Sequence, residues 1–138
     1  MTLKSIYMLS SNRVRRNYNG GAALDALAGV DNPVDGNTPE AWLASTTEAR
    51  NPGMPYISGE GLAHIEGKDG MQHTVKEMFA KYPEHFLGKA HIKQLGPTLG
   101  FLAKLLDSSM RLHVQAHPTA EFAQKYLNSQ WGKLESYV

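Results

Sequence analysis

Residues 101–138 read FLAKLLDSSMRLHVQAHPTAEFAQKYLNSQWGKLESYV. Phe101–Asp107 is an apolar run broken by Lys104. Its length suits a buried strand, although period alone does not separate it from a helix. Leu112–His117 alternates strictly, with Leu112, Val114 and Ala116 on one face and His113, Gln115 and His117 on the other. Pro118 ends that strand. Thr119–Asn128 then reads as an amphipathic helix capped by Thr119, with Phe122, Ala123, Tyr126 and Leu127 as its apolar side. Gly132–Val138 alternates again. The order is strand, strand, helix, strand, with no repeating strand–helix–strand unit.

Outward from this segment the punctuation becomes denser. Ala41–Thr46 (AWLAST) reads as a short strand between the loops Asp31–Thr38 and Asn51–Gly61, both rich in turn residues. Ala22–Leu27 reads as a short helix stopped at Gly29, and Thr74–Tyr82 as a helix with Val75, Met78 and Phe79 on one face. Pro83 ends it, and Glu84–Leu87 forms a further helical turn. The dense basic group Arg13, Arg15 and Arg16 reads first as a solvated surface stretch and second as an anion grip. Asn19-Gly20-Gly21 reads as a turn, without the spacing of a phosphate-cradling loop.

Composition narrows the function classes. The 138 residues suffice for one domain, 1–138, with a real core. The formal charge of +1 argues against a nucleic-acid partner, which needs a net basic surface. Cysteine is absent, so disulfides, thiolate metal sites and a thiol nucleophile are excluded, and any metal must be held by nitrogen and oxygen. No apolar stretch has the length of a membrane span, and Met1–Arg16 lacks a signal-peptide core. A cytoplasmic chain without a membrane partner is therefore expected.

The chemistry lies on the polar faces. Gln115 and His117 are two apart, so they project to one side, roughly 6.5–7 Å apart along the backbone. Together they offer an amide oxygen and an imidazole nitrogen. Lys133 and Glu135 share a face in the same way, and Glu135 adds a carboxylate. A divalent ion on Gln115, His117 and Glu135 keeps net positive charge, which suits polarising a substrate oxygen. The plain alternative is the wet side of a sheet. His113 faces the same way, as a surface group or a support for the ligands. Lys104 reads either as a covered stem with its head in water or as a cation held in a cavity.

The series Lys104, Asp107, Gln115-Ala116-His117-Pro118 and Gly132-Lys133-Leu134-Glu135 resembles the metal-binding core of class I mannose-6-phosphate isomerases. Asn12–Gly21 (NRVRRNYNGG), Glu40–Thr46 (EAWLAST) and Asn51-Pro52-Gly53 extend that resemblance over nearly the whole chain. It implies a mainly β fold with helical additions, a cupin jelly-roll β-sandwich. It also implies zinc-dependent interconversion of mannose 6-phosphate and fructose 6-phosphate through an enediol. Gln115, His117 and Glu135 match metal ligands, and Lys104 and Lys133 match active-site lysines. The family's fourth ligand, a histidine, and a substrate-contacting arginine belong to its later half, so the sandwich is expected to be incomplete within these residues. An incomplete sheet is expected to turn over substrate poorly by itself, and to dimerise, exchange strands or show modest stability. The alternative is a non-catalytic cupin-like module that binds metal or sugar, or a partner.

Overall fold

A computed structural model describes residues 3, 6–66 and 72–138. The chain is mixed α/β, built from small antiparallel sheets and short helices. In order these are β1 (Arg13–Val14), α1 (Ala22–Leu27), β2 (Glu40–Leu43), β3 (His64–Ile65), β4 (His73–Thr74), α2 (Val75–Lys81), α3 (Pro83–Leu87), α4 (Lys89–Leu95), β5 (Ala103–Leu106) and α5 (Ala120–Tyr126). No helix among the described residues is long and apolar enough to cross a membrane.

The first sheet has the order β1-β2-β5, all antiparallel, with β2 in the centre. Its register pairs Val14 with Glu40, Glu40 with Leu106, and Trp42 with Lys104. Directly opposed residues share a face. One face therefore carries Val14, Glu40, Trp42, Lys104 and Leu106, and the other carries Ala41, Leu43, Ala103 and Leu105. Val14, Glu40 and Trp42 are buried, whereas Leu43 and Leu105 are exposed. This asymmetry creates the floor of the site described below.

The second sheet pairs β3 with β4, and Thr74 leads directly into α2. The start of α2 is a complete capping box. Thr74 Oγ1 accepts from the Glu77 amide at 3.1 Å, and Glu77 Oε2 accepts from the Thr74 amide at 2.8 Å. Val75, Met78 and Phe79 fall on one helical face and pack with Ala63 and Ile65 into the larger core. Phe86 of α3 and Tyr7 lie against this core, with ring centroids 5.1 Å apart.

A smaller core of Val14, Trp42 and Ala49 backs the first sheet. Gly61 is required there. A Cβ at this position would lie 2.7 Å from the Trp42 ring, and its φ of +89° suits glycine. Gly20 serves a different contact, since a Cβ there would fall 1.9 Å from the Asp107 carbonyl oxygen. With that approach open, the Asp107 carboxylate accepts from the Gly21 and Ala23 amides at 3.1 and 2.7 Å. The start of α1 is thus satisfied from the end of β5.

Several elements differ from the sequence expectation. The strand expected over Ala41–Thr46 is Glu40–Leu43, and Ala44 leaves it with a φ of +49°. Helix α4 and the two-residue strands carry too little periodic pattern to be read. Leu112–His117 and Gly132–Val138 are not strands, because no neighbour completes a ladder with them. Among the described residues 112–117 make no backbone–backbone hydrogen bond. Thr119 caps α5 as expected, accepting from the Phe122 amide at 3.2 Å. Of that helix's apolar side, however, only Ala123 is buried, and Phe122, Tyr126 and Leu127 are exposed.

The α2 packing sets a measurable contrast. Met78→Ala is expected to cost about 2–5 kcal/mol, because the fully buried side chain leaves a cavity. Thr74→Ala should cost about 1 kcal/mol, the typical worth of a cap. Urea unfolding of both variants checks the order and size of the two effects.

Candidate functional site

A cavity of about 540 Å³ opens on the buried face of the first sheet. Glu40 of β2 and Lys104 and Leu106 of β5 form its floor. Arg16, Asn17 and Tyr18 follow β1 along one side, with Asn51 and Pro52 beside them. The opposite wall consists of two chain segments. One contributes Leu112, His113, Gln115 and His117, and the other contributes Lys133, Glu135 and Tyr137. From His113 onward the alternation persists without a ladder, because odd positions face the cavity while Val114 is 90% exposed and Leu134 99%.

The two wall segments are joined by α5 and held by short-range packing. The Lys133 amide donates to the Pro118 carbonyl at 2.9 Å. Gly132 sits so close to the start of α5 that a Cβ would be 2.6 Å from the Ala120 nitrogen and the Pro118 oxygen. This clip brings residues 115–117 beside residues 133–135.

All five site residues expected from the sequence meet in this cavity. His117 Nε2 lies 3.3 Å from Gln115 Oε1 and 3.6 Å from Glu135 Oε2. Both distances run to His117 Nε2, and the shorter is a hydrogen bond between the amide oxygen and the imidazole. Among the described residues no group of three or more His, Cys, Asp or Glu side chains is placed to hold a metal. The arrangement here instead has one His, one Glu and an amide. Glu135 is also held within its own segment. Lys133 Nζ lies 2.9 Å from Glu135 Oε1, and the Tyr137 hydroxyl donates to Glu135 Oε2 at 2.9 Å. Burial pushes the Glu135 carboxyl up, but the hydrogen bonds from Lys133 and Tyr137 and the nearby charges outweigh it and hold it low. The same contact raises Tyr137.

The floor is organised around a residue that sequence reading did not single out for chemistry. Glu40 is 1% exposed. It accepts from the Tyr18 hydroxyl, from Trp42 Nε1 at 2.6 Å and from Lys104 Nζ at 3.1 Å, and Arg16 Nε lies 3.3 Å from Glu40 Oε1. Burial alone would raise the Glu40 carboxyl. The Tyr18 and Trp42 hydrogen bonds and the charges of Arg16 and Lys104 override burial and hold it below the usual carboxylate range. Burial first, and the Glu40 carboxylate second, push Tyr18 strongly upward, so the hydroxyl stays a donor. Lys104 thus lines the cavity paired to Glu40, with its side chain about one quarter exposed.

The arginine cluster is corrected as well, since it is not a solvated stretch. Arg13 pairs with Asp25 and donates to the Thr38 carbonyl. Arg15 grips both oxygens of Glu60 at 3.0 and 2.9 Å. Arg16 reaches Glu40 and donates from Nη1 to Asn51 Oδ1 at 2.9 Å. The available signal for Glu40 was a carboxylate two residues before Trp42 in a strand, matched by a lone lysine in FLAKLL. A buried carboxylate and a partly covered lysine on adjacent strands gain by pairing. A second cavity, about 280 Å³, lies in the 49–60 loop, where Arg50 stacks 4.1 Å over the Tyr56 ring.

Compared with protein-family models, curated proteins and solved structures, the chain matches none.

The depressed Glu40 carboxyl fixes the sign of an acid effect. Its charged form is favoured by folding, so its contribution is present above the unfolded value near 4.5 and is lost as pH falls through the lower folded value. The unfolding free energy should hold steady from neutral pH to about 5 and fall below that. In Glu40→Gln, where this ionisable group is gone, the acid-side decline should be shallower. Urea unfolding as a function of pH measures both slopes.

Proposed function

We propose that the cavity is a metal-assisted aldose–ketose isomerase site interconverting mannose 6-phosphate and fructose 6-phosphate. The observation that carries this reading is the meeting of Gln115, His117 and Glu135 in a cavity that also presents Lys104 and Lys133. These are the positions that the resemblance to class I mannose-6-phosphate isomerases assigns to ligands and active-site lysines. The finer fold proposal follows from it. The β1-β2-β5 sheet and the alternating segments 112–117 and 132–138 are proposed as facing walls of a cupin jelly roll. The proposed setting is the cytoplasm.

Gln115, His117 and Glu135 would hold the zinc ion, through one amide oxygen, one imidazole nitrogen and one carboxylate oxygen. A bound divalent ion supplies Lewis-acid polarisation of the sugar oxygens. The remaining work falls to the chain. In the open-chain aldose the C2–H bond breaks, a C1–H bond forms, and the O2 hydroxyl proton passes to O1. Negative charge develops on the oxygens during this transfer. Lys104 and Lys133, on opposite sides of the cavity, stabilise it and orient the anionic substrate.

A second reading has its own support. Glu135 is already satisfied by Lys133 and Tyr137, so the wall stands without an ion. That fits a non-catalytic cupin-like module binding metal or sugar. The exposed Val114 and Leu134 support the further proposal that two copies associate or exchange strands.

The isomerase reading predicts one zinc per chain by metal analysis after dialysis. Joint replacement of Gln115, His117 and Glu135 by Ala should abolish it. Zinc-loaded protein should convert mannose 6-phosphate, slowly, and a chelator should stop it. Undiminished zinc in the triple variant would falsify the ligand assignment. Stoichiometric zinc without conversion would favour the binding module.

A further inference from the structure

Arg16 and Lys104 come from different strands' surroundings yet end at the same oxygen, Glu40 Oε1, at 3.3 and 3.1 Å. Neither cation is used up by that contact. Lys104 Nζ carries three N–H donors and gives one to Glu40. Arg16 carries five, with Nη1 donating to Asn51 and Nε 3.3 Å from the carboxylate as an ion pair without a hydrogen bond. Their side chains are 24% and 25% exposed, and both line the 540 Å³ cavity. The spare donors of two adjacent cations thus face one space.

Two such heads repel each other and would spread into solvent as free side chains. Glu40 lies beneath them, 1% exposed, and is locked from behind by Tyr18 and Trp42. We infer that Glu40 is a positioning residue that seats Arg16 and Lys104 side by side as an anion-binding pair, which takes the phosphate group of the ligand. This rests on the sugar-phosphate reading above and adds to it a division of labour. The anionic end of the substrate docks on the sheet floor, and its reacting carbons lie toward the Gln115, His117 and Glu135 wall. A negative charge on Glu40 also opposes an incoming anion. That opposition is offset by three hydrogen bonds and the Arg16 charge, whereas the ordering it imposes on two long side chains is direct.

The test titrates inorganic phosphate into the full chain by calorimetry, with folding of each variant checked by circular dichroism. Arg16→Met and Lys104→Met are each expected to weaken phosphate about tenfold, the worth of one charge-assisted contact. Glu40→Gln should weaken it to a similar degree, and Glu40→Asp should regain part of the loss. Because Glu40 acts through both cations, adding Glu40→Gln to the Arg16→Met/Lys104→Met double variant should cost no more than about a further twofold. Full additivity would mean that Glu40 only supports the fold, and would overturn the inference. If Glu40→Gln does not fold, the single-cation variants decide, and wild-type affinity in both overturns the seat. Phosphate binding of this pattern without conversion of mannose 6-phosphate would sink the isomerase and keep the seat. Conversion with phosphate affinity unchanged in Arg16→Met and Lys104→Met would do the reverse.

Discussion

The buried carboxylate of Glu40 ties the sheet to the cavity. Removing a carboxylate from water costs several kcal/mol even after relaxation. Here the cost is offset by three hydrogen-bond donors, Tyr18 after β1, Trp42 on the same strand and Lys104 on β5, and by the charge of Arg16 3.3 Å away. Arg16, Tyr18 and Lys104 can reach Glu40 only if β1, β2 and β5 hold their register. A slip of one residue would turn Glu40 and Lys104 to opposite faces. It would leave one charge stranded against Val14 and the other in solvent. The ion network and the strand pairing therefore specify each other. The floor's geometry is set by the fold before any ligand arrives.

The opposite wall is built by another principle. Among the described residues 112–117 have no ladder partner, so sheet pairing there does not place them. Their placement comes from the turn of chain through α5. Thr119 starts that helix with a side-chain cap, Ala123 anchors it, and Gly132 returns against Pro118 at a distance that excludes any side chain. The result places Glu135 beside His117 with only one linking backbone hydrogen bond between Lys133 and Pro118. Such a wall is held locally, and its outer side leaves Val114 and Leu134 uncovered. Low local stability of this kind is common where a site must admit a ligand.

What the sequence made legible divides along the same line. Local chemistry was readable. Thr74 and Thr119 announced helix starts, Pro83 a helix end, and Val75, Met78 and Phe79 a buried stripe. The shared faces of Gln115 with His117 and of Lys133 with Glu135 also survive, because side-chain alternation is a property of extended backbone and needs no partner strand. The ladders expected on those segments do not appear, since pairing depends on neighbours that alternation does not reveal. Burial of α5 was over-read for the same reason, as an apolar stripe says what a helix can cover and not what covers it. Glu40 was the larger omission, and Arg16 was read only as part of a basic cluster, first as solvated surface and second as an anion grip. Each is an ordinary surface residue by type, and only the register of Trp42 opposite Lys104 brings them beneath the cavity.

The charge arrangement gives the two walls a common logic. Each carboxylate is met by cations and by neutral donors. Glu40 has Arg16 and Lys104 with Tyr18 and Trp42, and Glu135 has Lys133 with Tyr137 and the imidazole of His117 alongside. Three fixed cations thus face two carboxylates inside one cavity, and the excess is positive. A cavity that were merely wet surface would have no reason to buffer its acids so completely, because exposed ion pairs contribute little. Meeting each carboxylate with cations as well as neutral donors keeps both ionised while leaving cationic N–H groups unspent. Those remaining donors are what an anionic ligand would meet first, and the carboxylates behind them hold the donors in place.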